Sequence, residues 1–357
     1  MDFRKAIWLS TLSSYAKIGL PKVIEHMKFM DLDEVYLIVS ESIGTLYPSN
    51  VRPMVPQLRG KDIINPFIKE LHKVDIKVHA WIVTLLFNNE EFIKKHKDWY
   101  VVNKLGISCI DKPPYIESYK WLCPSREEVV NHVVDLFSEV VEKYDVDGVH
   151  FDYIRYPDIL LPRGIRKRYE NVPLEDIVKP EFDYCYCSTC CSKFESEFGI
   201  NPRNLKYFEY YYGVWFKWRT DKVTNLVKQV YEKVKRYDSS IEVSAAVFPT
   251  PKIAYEYVLQ NWTIWGLDHY NPMIYHRYYE KTYKWIGEAV RESVLRGLKI
   301  LAGIHLYHIG SKRELLESVR DALLNGAVGI CIFVYPPPSM EYIKWVSEVF
   351  KEVEKSL

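Results

Sequence analysis

An aspartate, an arginine and two tyrosines arrive together in the twelve-residue run V-D-G-V-H-F-D-Y-I-R-Y-P, from Val146 to Pro157. Asp152 is a carboxyl group that can hold or release a proton. Arg155 is a planar clamp for a carboxylate, and Tyr153 and Tyr156 offer an apolar face with a polar tip. Val149, Phe151 and Tyr153 alternate with His150, Asp152 and Ile154, the two-residue period of a strand. An amphipathic helix precedes that strand, so Asp152 sits at a strand's C-terminal end, the edge where parallel α/β proteins do their chemistry. Asp152 is therefore the first candidate for a catalytic carboxylate. The competing reading is an Asp that caps the next turn. Arg155 is open between a substrate clamp and a structural ion pair, and Asp147, at the strand's other end, reads as structural.

The elements that must carry these residues alternate along the chain. Strands are expected at Lys5 to Leu12, Glu34 to Val39, Lys77 to Leu86, around Phe151, and at Ile241 to Phe248. Three more are expected at Leu267 to Tyr275, interrupted by Pro272, at Lys299 to Leu306 and at Ala327 to Tyr335. Helices are expected at Pro21 to Met30, Asp62 to Val74, Ser125 to Tyr144, Gly213 to Tyr237, Tyr278 to Leu295, Ser311 to Leu324 and Met340 to Val353. The helix from Ser125 reads as opened by a Ser125–Glu128 capping box, with Val130, Val134, Phe137 and Val141 as its apolar stripe. The strands are β-branched and nearly continuously apolar, as expected when both faces are buried. Eight such units in 357 residues fit one (β/α)8 TIM barrel over residues 1–357, with a long Cys-containing insertion at about 157–203 after strand 4. The alternative, a doubly wound open sheet, lacks a Gly-rich phosphate loop after the first strand.

In a barrel, the strand ends meet around one mouth. They bring Trp8 and Ser10; Ser40, Glu41 and Ser42; His79, Trp81, Asn88 and Asn89; Asp152, Arg155 and Tyr156. The later strands bring Phe248 and Thr250; Asn271, Met273, Tyr275 and His276; His305, Tyr307 and His308; and Tyr335. Carboxylates, amides, imidazoles and rings around one pocket suit glycoside hydrolysis. There one carboxyl protonates the leaving oxygen and a second acts as nucleophile or activates water. Glu41 and Asp268 rank as the second carboxylate, with Asp158 behind them. Trp8, Trp81, Asn88, Arg155, Tyr156, Asn271, Tyr275, His305, Tyr307 and Tyr335 are the expected substrate contacts.

These residues resemble the glycoside-hydrolase-like family ten group. The fourth-strand run is the specific match. A-I-W-L-S-T, T-L-Y-P-S, K-V-H-A-W-I, W-L-C-P-S-R-E-E-V and L-D-H-Y-N-P-M-I-Y are similar to other family segments and come in the same order. The resemblance implies a (β/α)8 barrel that hydrolyses a polysaccharide or peptidoglycan-type glycan, and it carries Asp152, Arg155, Trp81 and Tyr275 into the site. The chain is more distantly similar to the family 18 chitinases through Asp147, Gly148, Asp152, Met273 and Tyr275. It departs from them at His150 and at Ile154, which stands where their catalytic acid does. That departure keeps a second reading open, a carbohydrate-binding barrel that does not cleave.

Cys185, Cys187, Cys190 and Cys191 form C-x-C-x-x-C-C. Close thiolates suit a tetrahedral Zn²⁺, and Cys123 completes the set Cys123, Cys185, Cys187 and Cys190. Such a site is structural, since four thiolates leave no open position for water. Disulfides and free thiols are the alternatives, although seven cysteines cannot all pair within one chain. A catalytic zinc is disfavoured, because no H-E-x-x-H run is present. No cofactor is expected to be required for catalysis.

Bulk properties narrow the partners. A net charge of +1 argues against a nucleic-acid or membrane surface and leaves a carbohydrate as the expected substrate. The 28 Tyr and 10 Trp suit a sugar cleft but are read first as an aromatic core. The run Tyr207 to Trp218 is likewise read as a packed helix. No apolar run reaches the length of a membrane span. The N-terminus enters a strand at once without signal-peptide architecture, so a cytoplasmic protein is expected, or a secreted one whose leader has been removed.

Overall fold

The period-2 runs become eight parallel strands in the computed structural model, which describes residues 3–356. They are β1 (Arg4–Leu9), β2 (Glu34–Glu41), β3 (Lys77–Val83), β4 (Gly148–Asp152), β5 (Glu242–Val247), β6 (His269–Pro272), β7 (Leu301–His305) and β8 (Gly329–Tyr335). Each pairs with its neighbour in chain order, and β1 also pairs with β8. Parallel bridges at Tyr270–Ile300 and Met273–Gly303 close the seam between β6 and β7. A Cβ at Gly303 would lie 2.6 Å from the Pro272 carbonyl oxygen, so the seam closes only over a glycine. Helices follow the strands as the crossovers that parallel pairing demands. The chain is a (β/α)8 barrel.

Several local readings needed correction. The helix expected from Ser125 begins at Glu127 without a side-chain cap, because the Ser125 hydroxyl instead meets the Tyr156 hydroxyl at 3.3 Å. Its buried face runs through Val129, Val133, Leu136, Phe137, Val140 and Val141, so the stripe is rotated away from Val130 and Val134. The segment after β4 carries a helix, Ser188–Phe198, beyond those expected from sequence. β6 stops at Pro272, which has no N–H to continue the ladder. The helix expected from Tyr278 begins at Trp285, after a tight turn over His276–Tyr279.

Alternation sorts each strand into an outer apolar face and an inner column. On β4, Val149 and Phe151 pack outward beneath the helices, while Gly148, His150 and Asp152 rise up the interior. At the N-terminal end of the barrel, Arg4 spans Glu34 at 2.5 Å and Glu242 at 2.7 Å, and His79 lies 3.0 Å from Glu34. A Cβ at Gly148 would fall 2.1 Å from His79 Nδ1, so that glycine admits the imidazole. One layer up, the Trp8 indole N–H donates to His150 Nε2 at 3.0 Å. An indole can only donate, so the His150 proton sits on Nδ1 and is offered to Ser244 Oγ at 2.8 Å. Burial and the neighbouring His79 hold His150 neutral, well below its usual titration range.

Candidate active site

Asp152 ends the inner column of β4 and is buried at the floor of a cleft at the C-terminal mouth. Its carboxylate is held from two sides. Oδ1 accepts from the Tyr153 backbone N–H at 2.7 Å, and Oδ2 accepts from the Trp81 indole at 3.0 Å. The first bond is made by Tyr153 at φ +50°, a left-handed conformation unusual for a tyrosine, which curls the strand end onto its own Asp side chain. The second follows from register: β3 lies beside β4 with Val83 opposite Asp152, and Trp81, one inner-face step below, reaches up to it. Burial strips hydration from the carboxylate and pushes Asp152 up to about 6. The Tyr153 amide, the Trp81 indole and the Arg155 charge only partly offset that rise.

The cleft has a volume of about 480 Å³. Beside Asp152 it is lined by Glu41, Trp81, Arg155, Asp158, Phe248, Met273, Tyr275, His305 and Phe333. The loop after β3 adds Tyr115, Ile116 and Tyr119, and the segment after β4 adds Arg168 and Tyr169. Arg155 is a structural partner as well as a wall. It pairs with Asp158 at 3.0 Å, and its guanidinium lies 4.8 to 5.3 Å from the ring centroids of Trp121, Phe248 and Tyr153. The Tyr115 hydroxyl also donates to Asp158. Glu41 is raised by burial alone. His305 is pushed down to about 4 by burial and by His276, so its imidazole is neutral at pH 7. The opposite end of the barrel has a depression lined by Lys77, His79, Asp147 and Glu242, where Arg4 already engages the Glu242 carboxylate at 2.7 Å.

The structure therefore brings Asp152, Glu41, Asp158, Trp81, Arg155, Tyr275 and His305 into one cleft. Ser42, Phe248 and Met273 join them there, whereas several other expected residues lie elsewhere. Asp268 lies at the N-terminal end of β6, where it accepts the Val243 N–H at 2.7 Å and pairs with Lys235 at 2.9 Å. His79 belongs to the ion-pair layer at the barrel floor. Trp8 is bonded to His150, and Asn271 is buried beside Tyr36 and Cys331. The Tyr335 hydroxyl is 2.7 Å from His26 Nδ1, on the helix side of β8. Tyr156 turns its ring to the cysteine cluster, and Tyr307 is exposed outside the cleft. Asn88 gives its N–H to Ser42 O at 2.6 Å. The loop residues Tyr115, Tyr119, Tyr169 and Arg168 were not singled out from sequence. The only signal for the three tyrosines there is the abundance of tyrosine, and Arg168 has none.

The four cysteines Cys123, Cys185, Cys187 and Cys190 do converge, with all four Sγ atoms within 4.8 Å of one another. Cys123 Sγ is 3.4 Å from Cys190 and 3.9 Å from Cys187, well beyond a disulfide bond of about 2.05 Å. Glu34, His79, Glu242 and His269 form a second cluster of ligand-type atoms, but the Arg4 guanidinium holds both of its carboxylates, so it is an ion-pair network.

A parallel eight-stranded barrel is a TIM-barrel protein, and its carboxyl-bearing, aromatic-walled cleft lies at the strand C-termini, the end where such barrels carry their sites. The chain belongs to the glycosyl hydrolase-like 10 family, whose model matches residues 4–315. It is 23% identical over 311 residues to "Glycosyl hydrolase YngK" of Bacillus subtilis (strain 168), covering 80% of this chain and 51% of that protein. It is 26% identical over 191 residues to "Glycosyl hydrolase DigH" of Escherichia coli (strain K12), covering 43% of this chain and 42% of that one. The chain thus spans about half the length of the curated relatives it matches. Among solved structures, alpha-L-fucosidase isoenzyme 2 from Paenibacillus thiaminolyticus superposes with a TM-score of 0.69 at 16% identity, over 99% of this chain and 49% of that one. The beta-galactosidase from the psychrophilic Marinomonas ef1 gives 0.67 at 11% identity, over 98% and 59%. At these identities the shared property is the barrel. Among the described residues no helix is long and apolar enough to cross a membrane.

Proposed function

We propose that this barrel hydrolyses a glycosidic bond in a polysaccharide or related glycan, with Asp152 as the proton donor and Glu41 as the second carboxylate. The observation that carries this reading is the buried Asp152 carboxyl, held between the Trp81 indole and the Tyr153 amide and raised to about 6. A carboxyl poised there still holds a proton at mildly acidic pH and can pass it to the departing glycosidic oxygen. Glu41 has no ion-pair partner among the described residues and faces the same cleft. Its carboxylate is free to attack the anomeric carbon or to take a proton from water. Asp158 instead holds Arg155 in place. Tyr275, Trp81 and Phe248 supply ring faces for the sugar, and neutral His305 supplies a hydrogen-bonding edge. The family membership supports the same reaction class.

The test is a glycan panel of α- and β-glucans, galactans, chitin-type and peptidoglycan glycans, offered to the wild type and to Asp152→Asn. Release of sugar by the wild type, with a loss of about a thousandfold or more in the variant, supports the reading. Equal cleavage by both removes Asp152 from the chemistry. Binding without cleavage by either supports a glycan-binding barrel. That alternative is favoured by one observation: the position of the chitinase acid is taken by the buried Ile154.

A further inference from the structure

We propose that Cys123, Cys185, Cys187 and Cys190 hold one structural Zn²⁺ that ties together two walls of the cleft. The geometry is that of a tetrathiolate. Zn–S bonds of about 2.3 Å at tetrahedral angles place sulfurs about 3.8 Å apart. The Sγ separations of 3.4 and 3.9 Å bracket that distance, and all four side chains are buried. Four thiols that turn toward one another bury polar sulfur without using it, which unrelated core cysteines do not do. The other three behave as ordinary buried thiols: Cys109 lies against Trp121 O at 3.6 Å, Cys191 against Tyr186 O at 3.4 Å, and Cys331 lies inside the barrel.

The surroundings suit the negative charge that four thiolates leave around a divalent ion. Cys187 is the N-cap of the helix Ser188–Phe198 and Cys190 lies in its first turn, so the helix's positive end faces the cluster. The Cys187 N–H points to Cys185 Sγ at 3.5 Å, and Lys193, a turn further on, donates to Ser125 O at 3.0 Å. The two contributing segments are the loop after β3, which carries Tyr115 and Tyr119 into the cleft, and the segment after β4, which carries Arg155 and Asp158. Tyr156 packs on the cluster, and its carbonyl accepts from Arg155 at 3.0 Å. The metal thus backs the wall that holds Arg155. With four sulfur ligands it has no open position, and it acts by position alone.

The proposal is independent of the glycosidase reading, because metal content is read whether or not a glycan is cleaved. Protein purified without chelator from zinc-supplemented medium is analysed for metal, and its thiols are counted after denaturation. A cobalt-loaded sample is examined for thiolate-to-cobalt charge-transfer and tetrahedral d–d bands. The expected result is one zinc per chain, seven titratable thiols and a tetrathiolate cobalt spectrum. Cys190→Ser should fall below about a tenth of that metal content, while Cys191→Ser keeps it in full. If Cys190→Ser fails to fold, the wild-type zinc count and cobalt spectrum decide. Absence of stoichiometric zinc, fewer than seven thiols, a cobalt spectrum without thiolate bands, or equal metal loss in Cys191→Ser overturns the proposal.

Discussion

Replacing Asp152 by Asn separates the burial of this side chain from any chemistry it performs. The wild-type carboxyl is held at about 6 against an ordinary 3.8, chiefly because burial removes hydration from its charge. An acid whose folded value is raised contributes stability that is complete below about 3.8 and is lost as pH rises through about 6. The whole effect is worth about 3 kcal/mol, of which about 2 kcal/mol falls between pH 4.5 and pH 8. The amide has no charge to bury, so it escapes that loss. It keeps one acceptor, but its NH₂ meets either the Trp81 or the Tyr153 donor, at a pH-independent cost of about 1 kcal/mol. With an unfolding entropy of about 2.1 cal/mol/K per residue over the 357-residue chain, about 2 kcal/mol corresponds to about 3 °C. Melting temperatures of both proteins at pH 4.5 and pH 8 give the answer by scanning calorimetry, since every other group titrates alike in the two and cancels. The melting temperature of Asp152→Asn relative to wild type should rise by about 3 °C from the lower pH to the higher. A difference that stays constant, or that moves the other way, refutes the claim that burial raises the Asp152 carboxyl and removes the basis for its proposed role as an acid.

In kcat/KM, a proton donor at about 6 gives an alkaline limb that falls tenfold per pH unit above that value, and Trp81→Phe should move the limb up by about one unit by removing a donor to the carboxylate. A rate that instead rises through pH 6 would make Asp152 the base. Asp268→Asn should leave turnover within about twofold while lowering stability by about 1–2 kcal/mol, because it loosens the Val243 and Lys235 contacts at the far end of the barrel. A loss of turnover with unchanged melting would return Asp268 to the chemistry. Gly148→Ala should destabilise by about 3 kcal/mol, since the new methyl falls 2.1 Å from His79 Nδ1 and 2.9 Å from Glu242 O. Wild-type stability by urea titration would contradict that reading of the inner column.

How legible the molecule is from sequence depends on the range of the forces involved. The strands could be read because buried parallel strands are apolar and β-branched, a local property of each run. The inner column of β4 could be read for the same reason: alternation alone puts His150 and Asp152 on one face. The four metal-type cysteines could be grouped because three of them lie within six residues, and a soft tetrahedral site needs a fourth ligand. The capping box at Ser125 was misread because its hydroxyl is taken by Tyr156, a residue 31 positions away.

Which side chains face the cleft was decided only where strands meet. On β2 the register with β3 shifts between Ile38 and Ser40, and this extra residue turns Glu41 into the cleft and Ser40 away from it. On β8 a shift opposite Trp8 and Leu9 does the reverse, leaving Phe333 inside and sending Tyr335 outward to His26. Depth along the strand placed Asp268 at the wrong end and Asn271 below the cleft. The sequence alone determined the barrel, the run that ends at Asp152 and the company of the cysteines, because each follows from local period and spacing. The tertiary structure decided which carboxylates and which walls face the cleft. A bulge changes the face of every residue beyond it, and it exists only in the hydrogen-bond register between two strands.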